Sequence, residues 1–313
     1  MKLLVIDPFP AHFVTKLKAL PLELVYLPEA DRPEVHDAIL DAHILLLNSK
    51  VNVNISLLDA APQLKLIIRA GVGMDHIDVQ AAAALGIRAV NCAGANADAV
   101  GELTLAMMLG LRRNLLRADA QVRDFIWKRE DNRGLELSGA TIGLIGYGHT
   151  GKAVARRLQG FGCKVLAYDK YLVDYGDEHA EAASMDTIFA EADVLSLHIP
   201  LNPETKHLVD ASFINQFHKS IYLFNLARGP IVKLQDIPDL LDFDKVLGIG
   251  LDVLPNEKMD NLSDAEYTVY RDIFHRPNVI LTPHIGGWTD VSLDNIQQMI
   301  LDYLNDMIAH ADS

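Results

Sequence analysis

A glycine-rich turn near the middle of the chain limits the possible fold more than any other feature of the sequence. The turn reads Gly-Tyr-Gly-His-Thr-Gly and spans residues 146–151. The apolar run at 140–145 predicts a buried strand before it, and apolar positions at helical spacing over 152–159 predict a helix after it. A second predicted strand, 164–168, is followed by Asp169, which lies 18 residues after the third glycine. This spacing is close to the roughly 20 residues of a dinucleotide-binding fingerprint, so the sequence predicts a Rossmann unit here.

The parts of this motif have separate physical tasks. Gly146 allows the tight turn, Gly148 lets a pyrophosphate approach the backbone, and Gly151 lets the helix pack closely on the strand. Asp169 accepts hydrogen bonds from the adenosine ribose and repels a 2′-phosphate, which favours NAD over NADP, although Lys170 directly after it weakens that preference. The predicted cofactor contacts of the motif are Gly146, Tyr147, Gly148, His149, Thr150, Gly151 and Asp169.

Short apolar runs alternate with helical patterns along the whole chain, which is typical of open parallel-sheet α/β folds. Predicted strands of the first third are 2–6, 23–26, 44–48, 65–69 and 88–90, and a long helix over 98–119 follows. Later strands are predicted at 194–197, 221–225, 248–252 and 279–282, and a last helix at 291–309. The central position of the fingerprint predicts two doubly wound domains. A Rossmann NAD domain, 98–287, is inserted into a flavodoxin-like substrate domain made of 1–97 and 288–313.

Length and composition narrow the class of protein. The 313 residues are enough for two domains with cores of their own, and the net charge of −14 argues against nucleic acid or an anionic membrane as partner. The chain shows no signal peptide and no apolar run of 18 residues, and its two cysteines have no metal-ligand spacing. We therefore expect a cytoplasmic protein without a structural disulfide or a bound metal.

Three short motifs follow the fingerprint, each at or just after a predicted strand end, where open α/β sheets bind their ligands. They contain Arg228 (in NLARG), Glu257 (in DVLPNE) and His284 (in TPHIGG). A guanidinium can hold a carboxylate through its planar fork, and an imidazole can exchange a proton near neutral pH. A carboxylate beside the imidazole favours its charged form and fixes its tautomer. Together they predict hydride transfer to the carbonyl of a 2-keto acid.

In this order, the motifs resemble the D-isomer-specific 2-hydroxyacid dehydrogenase family, and the resemblance runs through nearly all of the chain. It implies the catalytic set Arg228, Glu257 and His284, with NAD as cofactor and a small anionic 2-keto or 2-hydroxy acid as substrate. It also implies a homodimer built by the long helix and the arm around Trp127. Further implied cofactor contacts are Pro200, Thr205, Ala227, Arg228, Asp252, His284 and Gly287. Implied substrate contacts are Asn48, Ser49, Gly71, Val72, Gly73, Arg228 and His284.

The substrate stays open at this point. Stretches such as RAGVGMDHID resemble the phosphoglycerate dehydrogenase-like branch, which implies oxidation of 3-phosphoglycerate in serine biosynthesis. Asn48 stands where that branch often has a phosphate-binding arginine, Cys92-Ala93-Gly94 replaces the usual hydrophobic-Pro-Gly, and Lys258 replaces the proline after the glutamate. A hydroxypyruvate or glyoxylate reductase is therefore the alternative. Lys50 and Arg69 are candidate cations on the substrate side. The same fold also serves NAD-sensing dimeric co-repressors, but the Arg/Glu/His set favours an enzyme.

Overall fold

The computed structural model describes residues 1–311, and they divide into two compact units. The first unit comprises Met1–Asn96 and the described residues from Thr289 onward, and the second comprises Ala97–Trp288. Residues 312 and 313, which end the predicted first domain, lie outside the described part of the chain.

The elements of the first unit alternate between strand and helix. Its strands are β1 (Lys2–Val5), β2 (Glu23–Tyr26), β3 (Ile44–Leu47), β4 (Leu66–Arg69) and β5 (Arg88–Asn91). The helices between them are α1 (Ala11–Lys18), α2 (Arg32–Ala38), α3 (Ile55–Asp59) and α4 (Val79–Ala84).

The second unit begins with two helices, α5 (Ala97–Arg112) and α6 (Leu115–Arg123). Its strands are β6 (Thr141–Ile145), β7 (Lys164–Tyr168), β8 (Glu181–Ala182), β9 (Val194–Leu197), β10 (Ile221–Asn225), β11 (Val246–Leu251) and β12 (Val279–Leu281). The remaining helices are α7 (His149–Leu158), α8 (Met185–Glu191), α9 (Ala211–Ile214), α10 (Ile237–Asp242) and α11 (Asp264–Phe274). Short 3-10 turns lie at Glu130–Asn132, Gln159–Phe161, Gly229–Ile231, Leu234–Asp236 and Met259–Asn261.

Both sheets are parallel throughout their described strands. The first has the order β2-β1-β3-β4-β5, which is flavodoxin-like, and the second has the order β12-β11-β10-β9-β6-β7-β8, which contains the Rossmann order. In the second sheet the order reverses between β6 and β9, and the register pairs Ile145 with Leu197 at their carboxyl ends. The predicted fold class is confirmed, and this switch point is where such sheets bind ligands.

The cores show why these apolar runs form parallel strands. In β3, Leu45 and Leu47 pack into one core, while Ile44 and Leu46 pack into another on the opposite face. A strand buried on both faces has to be apolar at every position, and all four residues are fully buried. The last helix, α12 (Asp290–Ala311), places Ile300 and Leu304 in the second of these cores.

The predicted single helix over 98–119 is wrong, because the chain forms α5 and α6 instead. Asn114 separates them with a left-handed φ of 52°. Asparagine adopts this conformation more readily than most residues, so the apolar pattern continues across a break in the backbone. Strand β8 was not predicted, because it has two exposed residues and no apolar run. Within residues 1–311, no helix is long and apolar enough to cross a membrane.

Candidate active site

The glycine turn joins β6 to α7 at the switch point of the second sheet. Gly146 has a φ of 94°, and a Cβ there would lie 2.3 Å from the carbonyl oxygen of His198, which follows β9. A Cβ on Gly151 would lie 2.2 Å from the oxygen of Gly146, so the third glycine lets the helix approach the strand. A Cβ on Gly148 would meet no atom within 4 Å. The first and third glycines therefore serve the packing of the turn, while the second leaves its outer side open.

The N-terminus of α7 fits an anion. Gly148 is its N-cap and offers no side chain to the first N–H groups, and both Gly148 and His149 are exposed, while Thr150 is half-buried. Unsatisfied N–H groups and the helix dipole together favour a pyrophosphate at such a position. The residues of this cradle fit the phosphates of a dinucleotide.

Tyr147 contributes to the turn from inside the core. Its ring is fully buried, its hydroxyl donates to Asp177 Oδ1 at 2.6 Å, and burial together with this neighbour raises the pKa of Tyr147 well above its usual range. Any contact of Tyr147 with a cofactor would therefore use its backbone.

Asp169 fixes the geometry after β7. Its Oδ2 accepts a hydrogen bond from the Tyr147 N–H at 2.9 Å, and its Oδ1 accepts from the N–H groups of Tyr171 and Leu172 at 3.0 and 3.2 Å. Two carboxylate oxygens offer about four acceptor positions, so one remains for a ribose hydroxyl after these three bonds. The carboxylate is half-buried and ties the glycine turn to the turn that follows β7.

The loop after β9 holds the predicted contacts Pro200 and Thr205. Thr205 Oγ1 donates to the Pro200 carbonyl at 2.7 Å and accepts from the Asn202 N–H at 2.8 Å. The Asn202 side chain accepts in turn from the N–H groups of Glu204 and Thr205. Pro200 is exposed and Thr205 is half-buried, and these bonds keep the loop in one conformation.

The loop that carries Arg228 is held in place by the buried side-chain amide of Asn225. Asn225, at the end of β10, is 0% exposed; its Nδ2 donates to the Arg228 carbonyl at 2.9 Å and its Oδ1 accepts from the Ala227 N–H at 3.1 Å. A Cβ on Gly229 would lie 2.0 Å from the carbonyl carbon of Leu254. Glycine is therefore needed for the loop of Arg228 to lie against the loop that carries Glu257.

Glu257 and His284 form a hydrogen-bonded pair. Glu257 Oε2 lies 3.0 Å from His284 Nδ1, and both side chains are about half exposed. Burial alone raises the pKa of the Glu257 carboxyl, but the hydrogen bond from His284 and the charges of His284 and Arg228 together lower it below its usual range. The charge of Arg228 therefore reaches this pair, and the structure brings the predicted catalytic set together within the second unit.

Asp252 holds the segment that carries His284. It is 2% exposed; its Oδ1 accepts from Thr282 Oγ1 at 2.5 Å and from the Ile285 N–H at 2.8 Å, and its Oδ2 accepts from the Gly286 N–H at 2.8 Å. The predicted cofactor role of Asp252 stays a prediction, because its oxygens serve this segment in the structure. Gly287, which directly follows Gly286, is half-buried.

The substrate-side residues predicted in the first unit lie at the carboxyl edge of its sheet. Asn48 follows β3, and its N–H donates to the buried Asp7 carboxylate at 2.7 Å, while Ser49 beside it is exposed. Residues 71–73 follow β4. Gly71 has a φ of 148°, the carbonyl of Val72 accepts from the side chain of Asn91, and Val72 and Gly73 are half-buried.

Two candidate cations of the first unit differ in their surroundings. The Lys50 ammonium donates to the Pro28 carbonyl. The Arg69 guanidinium lies against Gly71, since a Cβ there would be 1.3 Å from Nη1. A side chain at residue 71 would displace that guanidinium, and the φ of 148° at Gly71 also favours glycine.

Sequence reasoning missed the positioning roles of Asn225 and Asp252. Both are polar residues directly at the end of an otherwise buried strand, and that position is a usable signal, because a buried polar group needs partners. Glu204, whose side chain contacts the turn after β7, had no comparable signal in the sequence.

A Rossmann sheet with a glycine cradle and an adjacent Arg, Glu and His set defines a nicotinamide-dinucleotide-binding protein of the oxidoreductase type. Comparison with known proteins agrees. The family model described as the D-isomer specific 2-hydroxyacid dehydrogenase, NAD binding domain, matches residues 105–286. The chain belongs to the D-isomer specific 2-hydroxyacid dehydrogenase family, and its second unit contains the NAD-binding domain.

The relatives are named for activities on different substrates. A D-3-phosphoglycerate dehydrogenase from Mycobacterium leprae is 34% identical over 275 residues, which are 87% of this chain and 50% of that protein. A hydroxypyruvate reductase from Thermotoga maritima is 34% identical over 259 residues, or 83% and 82% of the two chains. The chain thus spans about half the length of the first relative and most of the second.

A solved structure covers nearly the whole chain. The crystal structure of a D-lactate dehydrogenase from Aquifex aeolicus, in complex with NAD and lactic acid, matches with a TM-score of 0.86 and 28% identity. The match covers 99% of this chain and 96% of that one.

Proposed function

We propose that the protein is an NAD-dependent oxidoreductase that interconverts a short 2-keto acid and its D-2-hydroxy acid. The observation that carries the proposal is the 3.0 Å hydrogen bond between Glu257 and His284, within the electrostatic reach of Arg228. A cation, a carboxylate and an imidazole at the carboxyl edge of a Rossmann sheet are the groups that this reaction needs.

Each side chain of the set has one role. Arg228 binds the carboxylate of the substrate through its planar guanidinium. His284 uses Nδ1 for Glu257, which leaves Nε2 to donate a proton to the substrate oxygen in reduction and to accept it in oxidation. Glu257 stabilises the charged imidazole and holds its orientation.

The cofactor follows from the cradle and from the family. NADH supplies the hydride when it is bound, and the chain's own groups hold it. The N-terminus of α7 binds the pyrophosphate beside Gly148, and Asp169 binds the adenosine ribose. The other predicted contacts, from Pro200 to Gly287, complete the proposed binding surface. Asp252 contributes to this surface through the segment that carries His284, which its carboxylate holds.

For the substrate we propose 3-phosphoglycerate first, because a relative of that activity aligns with 87% of this chain and Arg69 is a cation at the carboxyl edge of the first sheet. The second candidate is hydroxypyruvate or glyoxylate. It is favoured by Asn48, a neutral side chain where the phosphoglycerate branch often has an arginine, and by the bond that engages Lys50 with Pro28.

We also propose that two copies of the chain form a homodimer through the arm, defined as α6 and residues 124–138. No residue of α6 is buried, and Phe125 and Trp127 are 99% and 83% exposed. Contiguous exposed apolar side chains of this size are typical of a protein interface. We further propose a cytoplasmic location for the protein, as expected from its sequence.

The proposal is tested by following NADH oxidation with a panel of 2-keto acids. The panel contains the phosphorylated keto acid that corresponds to 3-phosphoglycerate, together with hydroxypyruvate, glyoxylate and pyruvate. We expect turnover with at least one of them, ranked by kcat/KM. His284→Ala should lose roughly 10²- to 10⁴-fold in kcat, as is typical for a positioned general acid, while it still binds NADH.

Two results would contradict the proposal. Tight NADH binding without turnover of any keto acid would favour the NAD-sensing co-repressor class instead. A fully active His284→Ala enzyme would show that the proton donor lies elsewhere.

A further inference from the structure

A lysine, a tyrosine and a glutamate meet beside the proposed ribose site. Lys170 and Tyr171 follow Asp169 directly, and both contact Glu204 from the loop after β9. The Lys170 ammonium lies 2.5 Å from Glu204 Oε2, and the Tyr171 hydroxyl donates to the same oxygen at 2.9 Å. One carboxylate therefore engages both side chains that follow the ribose-binding acid.

Both sides of this contact are held by bonds to the backbone. The Asp169 carboxylate accepts from the N–H groups of Tyr171 and Leu172, which fixes the turn that carries Lys170. Asn202 accepts from the Glu204 N–H at 2.9 Å, which fixes the loop on the other side. The position of Glu204 is thus set by the two loops rather than by the ion pair alone.

The charges at this place decide which cofactor can bind. A 2′-phosphate next to Asp169 would carry about two negative charges, and a nearby cation is what accommodates it in NADP-binding members of this fold. Lys170 is in the sequence position to supply that cation, but Glu204 neutralises it.

We propose that Glu204 is a cofactor-specificity residue: by pairing with Lys170 it helps Asp169 to exclude NADP. The inference rests on the proposed placement of the adenosine ribose at Asp169. The role of Glu204 is distinct from that of Asp169, because Asp169 alone would explain the preference for NAD without any role for the loop after β9. With Glu204 present, removal of Asp169 would leave Lys170 still neutralised.

The test is equilibrium binding of NADH and NADPH to the 313-residue protein, measured by nucleotide fluorescence without any keto acid. The variants are Glu204→Gln, Asp169→Ser, both together, and both with Lys170→Met. Glu191→Gln is the matched control, because Glu191 pairs with Lys164 at 2.9 Å at the opposite end of β7. Binding does not depend on turnover, so failure of the proposed activity would not affect this result.

We expect Glu204→Gln to tighten NADPH binding about five- to tenfold in the Asp169→Ser background, at low salt, and to change NADH binding less than about twofold. The gain should disappear when Lys170→Met is added, and Glu191→Gln should behave as wild type. If adding Glu204→Gln to Asp169→Ser leaves the ratio of the two affinities unchanged, or if the gain survives Lys170→Met, the inference is overturned. If Asp169→Ser leaves the ratio unchanged while NADH still binds, the ribose site itself is misplaced and the inference falls with it.

Discussion

His284 adopts a backbone conformation that histidine rarely has, with a φ of 56°. A left-handed residue other than glycine costs of order 1–3 kcal/mol and persists only where its surroundings hold it. Here the His284 N–H donates to the carbonyls of Asp252 and Thr282, at 2.8 and 3.0 Å. The buried Asp252 carboxylate accepts hydrogen bonds from residues on both sides of His284. One buried acid therefore holds the segment that orients the imidazole towards Glu257.

At the scale of one residue, we predict that Asp252→Asn impairs catalysis without much change in NADH affinity. In the variant, the amide nitrogen of the asparagine would replace one carboxylate oxygen and would face a backbone N–H group that donates to that oxygen in the wild type. At least one hydrogen bond would therefore be lost. An unsatisfied buried polar group costs about 1–3 kcal/mol, which should lower the melting temperature. The His284 segment should loosen, and kcat should fall about 10- to 100-fold.

The measurement is kcat, KM and the NADH dissociation constant, each compared with Asp260→Asn as control, since Asp260 is an exposed acid of the same unit. A large loss of NADH affinity with kcat unchanged would instead show that Asp252 contacts the cofactor and does not position His284.

At the scale of elements, the break between α5 and α6 separates two kinds of surface. α5 packs closely on α7, because a Cβ on Gly101 would lie 3.3 Å from the Ala153 backbone, and Arg157 of α7 pairs with Asp98 at 3.0 Å. α6, after Asn114, buries none of its residues. The break thus sets the arm apart from the packed part of the domain.

We predict that Phe125→Glu/Trp127→Glu converts the protein from a dimer to a monomer. Two exposed aromatic side chains are typical anchors of an interface, and charges at those positions would have to be desolvated there. Sedimentation velocity of the two proteins at equal concentration measures the change. Phe243→Glu is the control, because Phe243 is 82% exposed and lies outside the arm. A wild-type chain that sediments as a monomer would remove the basis of the dimer proposal.

The sequence predicted the strands well and the helix break poorly, for physical reasons. Strands such as β3 are buried on both faces, so their apolar runs are unmistakable. The apolar pattern of 98–119 continues through Asn114, and a single left-handed residue leaves no mark on periodicity. The positions of Arg228, Glu257 and His284 could be predicted because each residue follows a predictable strand, while their catalytic roles stay predictions. The positions of Asp252 and Glu204 depend on contacts between loops, which spacing does not encode.

At the scale of the whole molecule, the predicted site residues are distributed over the two units. The second unit carries the proposed dinucleotide cradle and the proposed proton-transfer pair. The first unit carries loops 48–49 and 71–73, which we propose to contact the substrate, at the carboxyl edge of its own sheet. The residues of the proposed hydride transfer thus lie in the part of the chain that the family model matches, residues 105–286. The proposed choice of substrate depends instead on single side chains such as Asn48. For this reason the family could be identified from the sequence and the substrate could not.

The central claim is that His284 exchanges the proton and that Glu257 keeps it charged. Glu257 is an anion at every pH above its lowered pKa, and its charge is lost only as the pH falls through that value. The carboxylate therefore carries its negative charge beside His284 throughout the neutral range. Keto acid reduction, which consumes a proton from His284, should hold on the acid side and fall as the pH rises.

The most direct test is the pH profile of kcat for keto acid reduction by the wild type and by Glu257→Gln. The variant keeps a hydrogen-bond partner for Nδ1 but loses the negative charge, so the imidazolium is less stable. We predict that the alkaline limb of reduction moves to lower pH, while some activity at acid pH remains. Superimposable profiles for the two enzymes would contradict the account.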